Sequence, residues 1–428
     1  MGNYNFNLDI SKFNTIIILN SLNKQTNSIM NSIQHANRDL MRGINRSVIL
    51  NVIKTHGPIS RADIAHMTGL SPATVTSITG LLIDEDLIFE KATGDSSGGR
   101  PPILLALNPQ GGFVIGIKLM ELHAVAALTD LNATVLEKAT IQMPNKELDS
   151  VIDELVLLVE DLIRKSTIPK KRLFGVGIGL AGVIDSVNGI LRKSPFFGWK
   201  DVPLGDRLHS RLKVPIFLDN DVNTLTLGEK WLDSGVHTDN YVVITVGRGI
   251  GMGIVINGQI YRGKGGGAGE FGHLVVNQDG PICNCGKRGC LESYLGDQAL
   301  LMRAREEVSS SIQDIDDLIQ IAGDGNSAAI HLFNWAGNLL GQEIANLVNL
   351  FDPKLIIISG EGVRMGDPFF FSMREAVQNN SVPELFENTE IRINTWGDDV
   401  WARGAASLVI GELFNSPIQK EDRTGTNQ

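Results

Sequence analysis

Residues 272–292 read Gly272-His273-Leu274-Val275-Val276-Asn277-Gln278-Asp279-Gly280-Pro281-Ile282-Cys283-Asn284-Cys285-Gly286-Lys287-Arg288-Gly289-Cys290-Leu291-Glu292. The chain has three cysteines, and all lie between Cys283 and Cys290. An odd number packed so closely is not a disulfide framework. His273, Cys283, Cys285 and Cys290 together supply the nitrogen and sulfur donors of a closed, four-coordinate Zn²⁺ site. A closed site has no position for substrate, so the expectation is one structural zinc per chain. Gly286 and Gly289 let the backbone turn round the metal.

Outward from this loop, the chain is an ordinary α/β sequence. Its 428 residues exceed one typical domain, and 43% hydrophobic residues with 46 glycines allow large cores and many tight turns. No apolar run reaches the roughly 18 residues of a membrane span. The short patch within Asn14–Leu22 has no basic region before it and is not read as a signal peptide. A cytoplasmic protein is expected, with no membrane partner. The net charge of −10 is uneven. Residues 38–110 balance seven basic against seven acidic residues, while 111–428 carry 29 basic and 40 acidic. The acidic part would repel nucleic acid, so any DNA contact falls to the neutral part.

Residues 1–38 are rich in Asn and Ser and are expected to be a disordered tail; 416–428 read likewise. Between 39 and 107 the order is helix, helix, turn, helix, hairpin. Ile44, Val48 and Val52, with Ile49 and Ile53, give Asp39–Thr55 an apolar face. Ser60 caps a helix at Arg61–Met67, Gly69 makes the turn, and Ser71-Pro72 opens a helix to Glu85. Strands at Leu87–Glu90 and Ile103–Leu107 flank a loop at Gly94–Gly99. This is a winged helix-turn-helix pattern. Ala73, Thr76 and Ser77 lie opposite the apolar Val75/Ile78/Leu82 face, with Thr74 beside them. Small hydroxyls and methyls there suit base edges and phosphates. Ser60, Arg61 and Ser71 are candidate backbone contacts, and Arg100 sits at the base of the wing. The candidate partner is double-stranded operator DNA. A protein-interaction module is the other use of such a head.

From 112 to 415 the chain alternates β and α. Strands are expected at Phe113–Leu119, Ala124–Leu128, Leu173–Leu180, Ile216–Leu218, Tyr241–Val246, Gly253–Ile256 and Leu355–Ser359. Helices are expected at Asp149–Lys165, within Ser293–Asp352 and at Val400–Phe414.

Five motifs together resemble the ROK family (repressors, open reading frames and sugar kinases). They are Gly269-Glu270-Phe271-Gly272-His273, the cysteine loop through Glu292, Asp219-Asn220-Asp221-Val222-Asn223, Gly247-Arg248-Gly249-Ile250-Gly251-Met252-Gly253, and Gly98-Gly99-Arg100-Pro101. The resemblance implies a winged helix-turn-helix head on an α/β two-lobed actin/hexokinase-like (ribonuclease H-like) body. Lobe 1 would span about 112–225 plus 398–415, and lobe 2 about 226–397. It implies a monosaccharide or sugar phosphate in the cleft, met by Asn220, Asp221, Glu270, His273 and Glu292. Asp221 matches the base of the family's kinases. A homodimer or homotetramer is expected, because one head per chain must meet a symmetric operator.

The kinases of the family place an Asp and a Gly-Gly-Thr turn where this chain reads Lys118-Leu119-Met120-Glu121-Leu122. Phosphates need close backbone approach and free N–H groups, which such side chains obstruct. Glu121 would add repulsion. Arg248 replaces a Thr in the second phosphate loop, and Ser359-Gly360-Glu361-Gly362 is a weakened base motif. Asp221 is therefore a vestigial base, and no catalytic residue is expected. Phe196-Phe197-Gly198-Trp199 is expected to line the cleft. The expected function is a sugar-responsive DNA-binding regulator, a repressor of carbohydrate-utilisation genes. The alternative is an ATP-dependent sugar kinase with an accessory N-terminal domain.

Overall fold

The computed structural model describes residues 39–93, 102–232, 238–395 and 400–415. The tails 1–38 and 416–428, the Gly94–Gly99 loop and Arg100 lie outside the described residues. The chain divides into two units, 1–108 with 413–428, and 109–412.

In the first unit, α1 is helical from 39 to 56. Strand β1 (Ile59–Ser60), α2 (Arg61–Thr68), α3 (Pro72–Asp84), β2 (Ile88–Thr93) and β3 (Ile103–Leu107) follow. The Ser60 and Ser71 side chains accept from the Asp63 and Thr74 amides, capping α2 and α3. Gly69, at φ 69°, ends α2 in the left-handed conformation. The three strands pair antiparallel in the order β1-β3-β2. The core joins Ile49, Leu50 and Ile53 to Ile64, Val75, Ile78, Leu82 and Leu105. Val48, expected on the apolar face, is exposed, and Leu50 takes its place. The buried stripe therefore runs i, i+1, i+4. On α3, Thr79 is buried and satisfies its hydroxyl on the Val75 carbonyl.

The second unit has two five-stranded sheets. The first contains β4 (Phe113–Leu119), β5 (His123–Asp130), β6 (Val135–Gln142), β7 (Leu173–Leu180) and, later in the chain, a strand at Ile216–Asn220. Helix α4 (Leu148–Ser166) lies between β6 and β7. A small sheet of β8 (Val183–Asp185), β9 (Ile190–Lys193) and β10 (Lys200–Val202) follows, then α5 (Leu204–Leu212) and that later strand, β11. The sheet order is β11-β7-β4-β5-β6, with β11, β7 and β4 parallel.

Helix α6 (Asp221–Leu232) leads to the second sheet, built from β12 (Tyr241–Val246), β13 (Ile250–Ile256) and β14 (Gln259–Ile260). Next come α7 (Glu292–Leu295), α8 (Asp297–Glu307), α9 (Ile315–Gly323) and α10 (Ser327–Phe351). The chain then runs through β15 (Leu355–Ser359), α11 (Asp367–Asn380), α12 (Pro383–Asn388), β16 (Glu390–Ile393) and α13 (Val400–Phe414). The order is β14-β13-β12-β15-β16.

Strand alternation explains the packing. Ile115, Ile117 and Leu119 of β4 share a core with α4 residues such as Leu155 and Val159. The opposite face of β4 and β7 carries Gly116, Gly177 and Gly179. A Cβ at Gly177 would lie 2.0 Å from the Ala405 carbonyl oxygen of α13. At Gly179 it would lie 2.6 Å from Thr224 Oγ1 of α6. The missing side chains let α13 and α6 close on the sheet. Lys118 is the next β4 residue on that face.

Gly177→Ala is expected to destabilise the body by about 1–3 kcal/mol, because neither backbone has room to yield. Gly411→Ala, where a Cβ meets nothing within 4 Å, should stabilise it by about 0.4–1 kcal/mol. Denaturant unfolding of the two variants checks the contrast.

Candidate functional site

The parallel strands β4, β7 and β11 end together: Lys118 is opposite Gly179, and Gly179 is opposite Asp219. The carboxyl ends of such strands are where open α/β sheets take ligands. Asp219 is buried to 1% exposure. Its Oδ1 accepts from the Asn220 amide at 2.8 Å and from Asn223 Nδ2 at 3.0 Å. Its Oδ2 accepts from Arg262 Nε at 2.8 Å, and the Arg262 Nη2 stands 2.6 Å away in the same ion pair. Arg262 follows β14, so this ion pair joins the lobes. Spacing alone could not reveal it, because 43 residues separate the partners.

Asn220 and Asp221 stand at the start of α6. Asn220 Oδ1 accepts from the Val222 amide at 2.9 Å, and its Nδ2 donates to the Gly182 carbonyl. Asp221 Oδ1 also accepts from the Val222 amide, at 3.0 Å. Its Oδ2 pairs with Lys118 Nζ. The ammonium also sits over the Trp401 ring, 4.0 Å from its centroid.

On the second lobe, His273, Cys283, Cys285 and Cys290 put their ligand atoms within 4.8 Å of one another. Cys285 and Cys290 sulfurs are 3.6 Å apart, and His273 Nδ1 is 3.5 Å from Cys283 Sγ. Sulfurs about 2.3 Å from a tetrahedral ion would be about 3.8 Å apart, so the four fit Zn²⁺. The positive φ of Gly286 and Gly289 makes the turns, and Gly289 has the Asn277 carbonyl 1.5 Å from where a Cβ would stand. Burial pushes the Cys290 thiol up to about 12, so a metal must displace its proton. The imidazole is two-sided. Its Nδ1 faces the sulfurs, while Nε2 lies 3.7 Å from Glu270 Oε2. Glu270 thus stands beside the outer ring nitrogen, beyond hydrogen-bond distance. Glu292 begins α7, and its Oε2 accepts from the Ile250 amide at 3.1 Å. Gly249 admits it: a Cβ there would lie 2.6 Å from that oxygen.

Glu121 is not the bare charge the sequence suggests. It pairs with Lys146 at 2.6 Å and with Arg248 of the other lobe at 3.3 Å. The Lys146 hydrogen bond, with Arg248 adding to it, lowers its pKa against the opposing effect of desolvation. The Arg248 guanidinium also lies 5.1 Å from the Phe196 ring centroid. Glu121 and Arg248, far apart in the sequence, thus contact each other. Phe197 and Trp199 stack on one another, 4.4 Å between centroids, and Trp199 Nε1 donates to the Lys146 carbonyl. Their faces are engaged mutually.

On the head, Ser71, Ala73, Thr76 and Ser77 are exposed and Thr74 is half-buried. An open groove beside them is lined by Met41, Arg42, Asn45, Ala73, Thr74, Ser77 and Ile78. Ser60 is buried, so its hydroxyl serves as a cap inside the head and does not reach an outer face. Arg61 is held by Thr79 Oγ1 at 3.1 Å and Glu90 at 3.0 Å.

Removing the cation from a buried pair leaves an uncompensated charge. Arg262→Met should therefore destabilise the body by about 3 kcal/mol, read as a lower denaturation midpoint, whereas an unchanged midpoint would show Asp219 to be satisfied without the arginine.

Comparison with known proteins agrees with this geometry. The ROK family model matches residues 114–412, and a winged helix-turn-helix DNA-binding model matches 44–88. The xylose repressor of Bacillus spizizenii is 32% identical over 381 residues, covering 89% of this chain and 98% of that protein. The transcriptional dual regulator NagC of Escherichia coli is 30% identical over 390 residues, covering 89% and 96%. A crystal structure of a ROK family transcriptional regulator, a homologue of the E. coli MLC protein, superposes with a TM-score of 0.80 at 27% identity, covering 90% of this chain and all of that one. The chain is a member of the ROK family, carrying a winged helix-turn-helix ahead of the family's two-lobed body.

Proposed function

We propose that this protein is a sugar-responsive transcriptional repressor that binds operator DNA through its head and a monosaccharide or sugar phosphate in the cleft of its body. The observation that carries the reading is the pairing of the two parts in relatives named as xylose repressor and N-acetylglucosamine repressor, matched over almost their whole length. The exposed Ala73, Thr76 and Ser77 with Ser71 and Thr74 are the proposed DNA face, Arg100 the proposed wing contact, and Ser60 and Arg61 supports for that face. Asn220, Asp221, Glu270, His273 and Glu292 are the proposed sugar contacts. Convergent carboxylates, an amide and an imidazole suit a polyol, which both donates and accepts.

A structural zinc on His273, Cys283, Cys285 and Cys290 would fix the loop between Glu270 and Glu292. The regulator reading is favoured over the kinase because Lys118 already pairs with Asp221 and Arg248 with Glu121. The side chains that would meet a metal-bound nucleotide instead neutralise one another. A homodimer or homotetramer would present paired heads to a symmetric operator.

Binding of the full chain to its upstream DNA, followed by fluorescence anisotropy, is expected to change about 5- to 150-fold with the right sugar, the usual range of coupling between two sites. The panel is D-xylose, D-glucose, N-acetyl-D-glucosamine and their phosphates. DNA binding that no sugar alters, or sugar-dependent ATP turnover, would refute the proposal. Elemental analysis should find one zinc per chain. Cys290→Ser should lose it and lower the melting temperature, and retention of a full equivalent would exclude this ligand set.

A further inference from the structure

Stability alone does not explain Lys118. A buried ammonium–carboxylate pair is often no better than two well-packed apolar side chains, and every other residue of β4 is apolar or glycine. The Lys118 side chain is 10% exposed and that of Asp221 14%. The ammonium has three N–H donors. Among the described residues Asp221 is its one hydrogen-bonded acceptor, and the Trp401 ring covers a side of it. A nearly buried cation with donors left over needs another acceptor. The Asp221 carboxylate is in the same position: one oxygen meets Lys118, the other the Val222 amide, and each keeps a lone pair. Ammonium and carboxylate therefore present a donor and an acceptor side by side at the carboxyl edge of the sheet.

We infer that Lys118 is a ligand-contacting, specificity-determining residue of the cleft, where it and Asp221 read two adjacent hydroxyls of an uncharged sugar. One hydroxyl oxygen accepts from Lys118, and its neighbour donates to Asp221. A positive charge in this seat also disfavours a divalent metal with its nucleotide. The inference rests on the sugar-binding reading above but adds a residue and a ligand feature to it, a vicinal diol.

The test is calorimetric titration of full-length wild type, Lys118→Met and Lys118→Arg. The ligands are D-xylose, D-glucose, N-acetyl-D-glucosamine and their phosphates, then the monodeoxy analogues of whichever uncharged sugar binds best. Lys118→Met is expected to weaken the best sugar about 10- to 150-fold, the scale of a charged hydrogen bond, and Lys118→Arg to recover part of it. One monodeoxy analogue should lose a similar factor against wild type and nothing further against Lys118→Met. A merely structural lysine would not produce that cancellation. If Lys118→Met fails to fold, the pair Lys118→Met with Asp221→Asn leaves no lone buried charge, and its deoxy penalty is compared with that of Asp221→Asn alone, so that the loss of the Asp221 contact cancels. Sugar binding within twofold of wild type, or a deoxy penalty equal in both proteins, would overturn the role of Lys118 alone. A wild type that binds only the phosphates of these sugars would overturn this inference, and one that binds neither the sugars nor their phosphates would overturn the sugar-cleft reading with it.

Discussion

The Asp219 carboxylate is the constraint on which the candidate site depends. It is buried at the end of β11 and takes three hydrogen bonds and a further ion-pair contact from three residues. Two come from its own strand–helix junction and fix the first turn of α6, so the directions of Asn220 and Asp221 follow from it. The third comes from Arg262 Nε on the far lobe, whose Nη2 adds the ion-pair contact. A carboxylate so placed is tolerable only when its lone pairs are filled by charged or amide donors. The same interaction therefore shapes the site and joins the halves of the body.

Close approach is the second constraint. The β7 segment Gly175-Val176-Gly177-Ile178-Gly179 alternates glycine with a branched side chain. Its branched face joins the α4 core, and its bare face lets α13 and α6 reach backbone distance. Lys118 lies on the bare side of β4, one step beyond Gly116, whose Cβ would overlap the Ala402 carbonyl. That step brings the lysine under Trp401, one residue before Ala402. The cation–aromatic contact thus follows from where the glycines end.

What is legible in the sequence is local. The four metal-ligand residues fall within 18 positions, and the caps at Ser60 and Ser71 act within three residues, so spacing carries the chemistry. Long strands buried on both faces, such as β4, β7, β12 and β15, are continuous apolar runs and read easily. Strand β6 escapes such a reading because only alternate residues are half-buried, the pattern of an edge. Helix α6 escapes it because several of its buried residues are polar: Asn223, Thr224, Thr226 and Glu229. No periodicity of apolar residues can announce a helix whose hidden face is polar and bonds to both backbone and side chains. The pairs Lys118–Asp221 and Glu121–Arg248 are 103 and 127 residues apart. The sequence shows four charged residues, but only the fold shows that they meet in pairs.

The bridges between the lobes are unequal, and the inequality has a direction. Asp219–Arg262 is buried, with side chains 1% and 19% exposed, and parting it would strand a charge away from water. Arg248–Glu121 is wetter, with Arg248 63% exposed, and Lys146 remains with Glu121 if Arg248 leaves. Exposed pairs are worth little, because water replaces the partner. Relative movement of the lobes is therefore opposed most at Asp219 and least at Arg248. A ligand favours one setting only by what it touches differently in the two. A sugar held between Asp221 and Glu270, as proposed above, would touch both lobes and so could favour one setting of them over another.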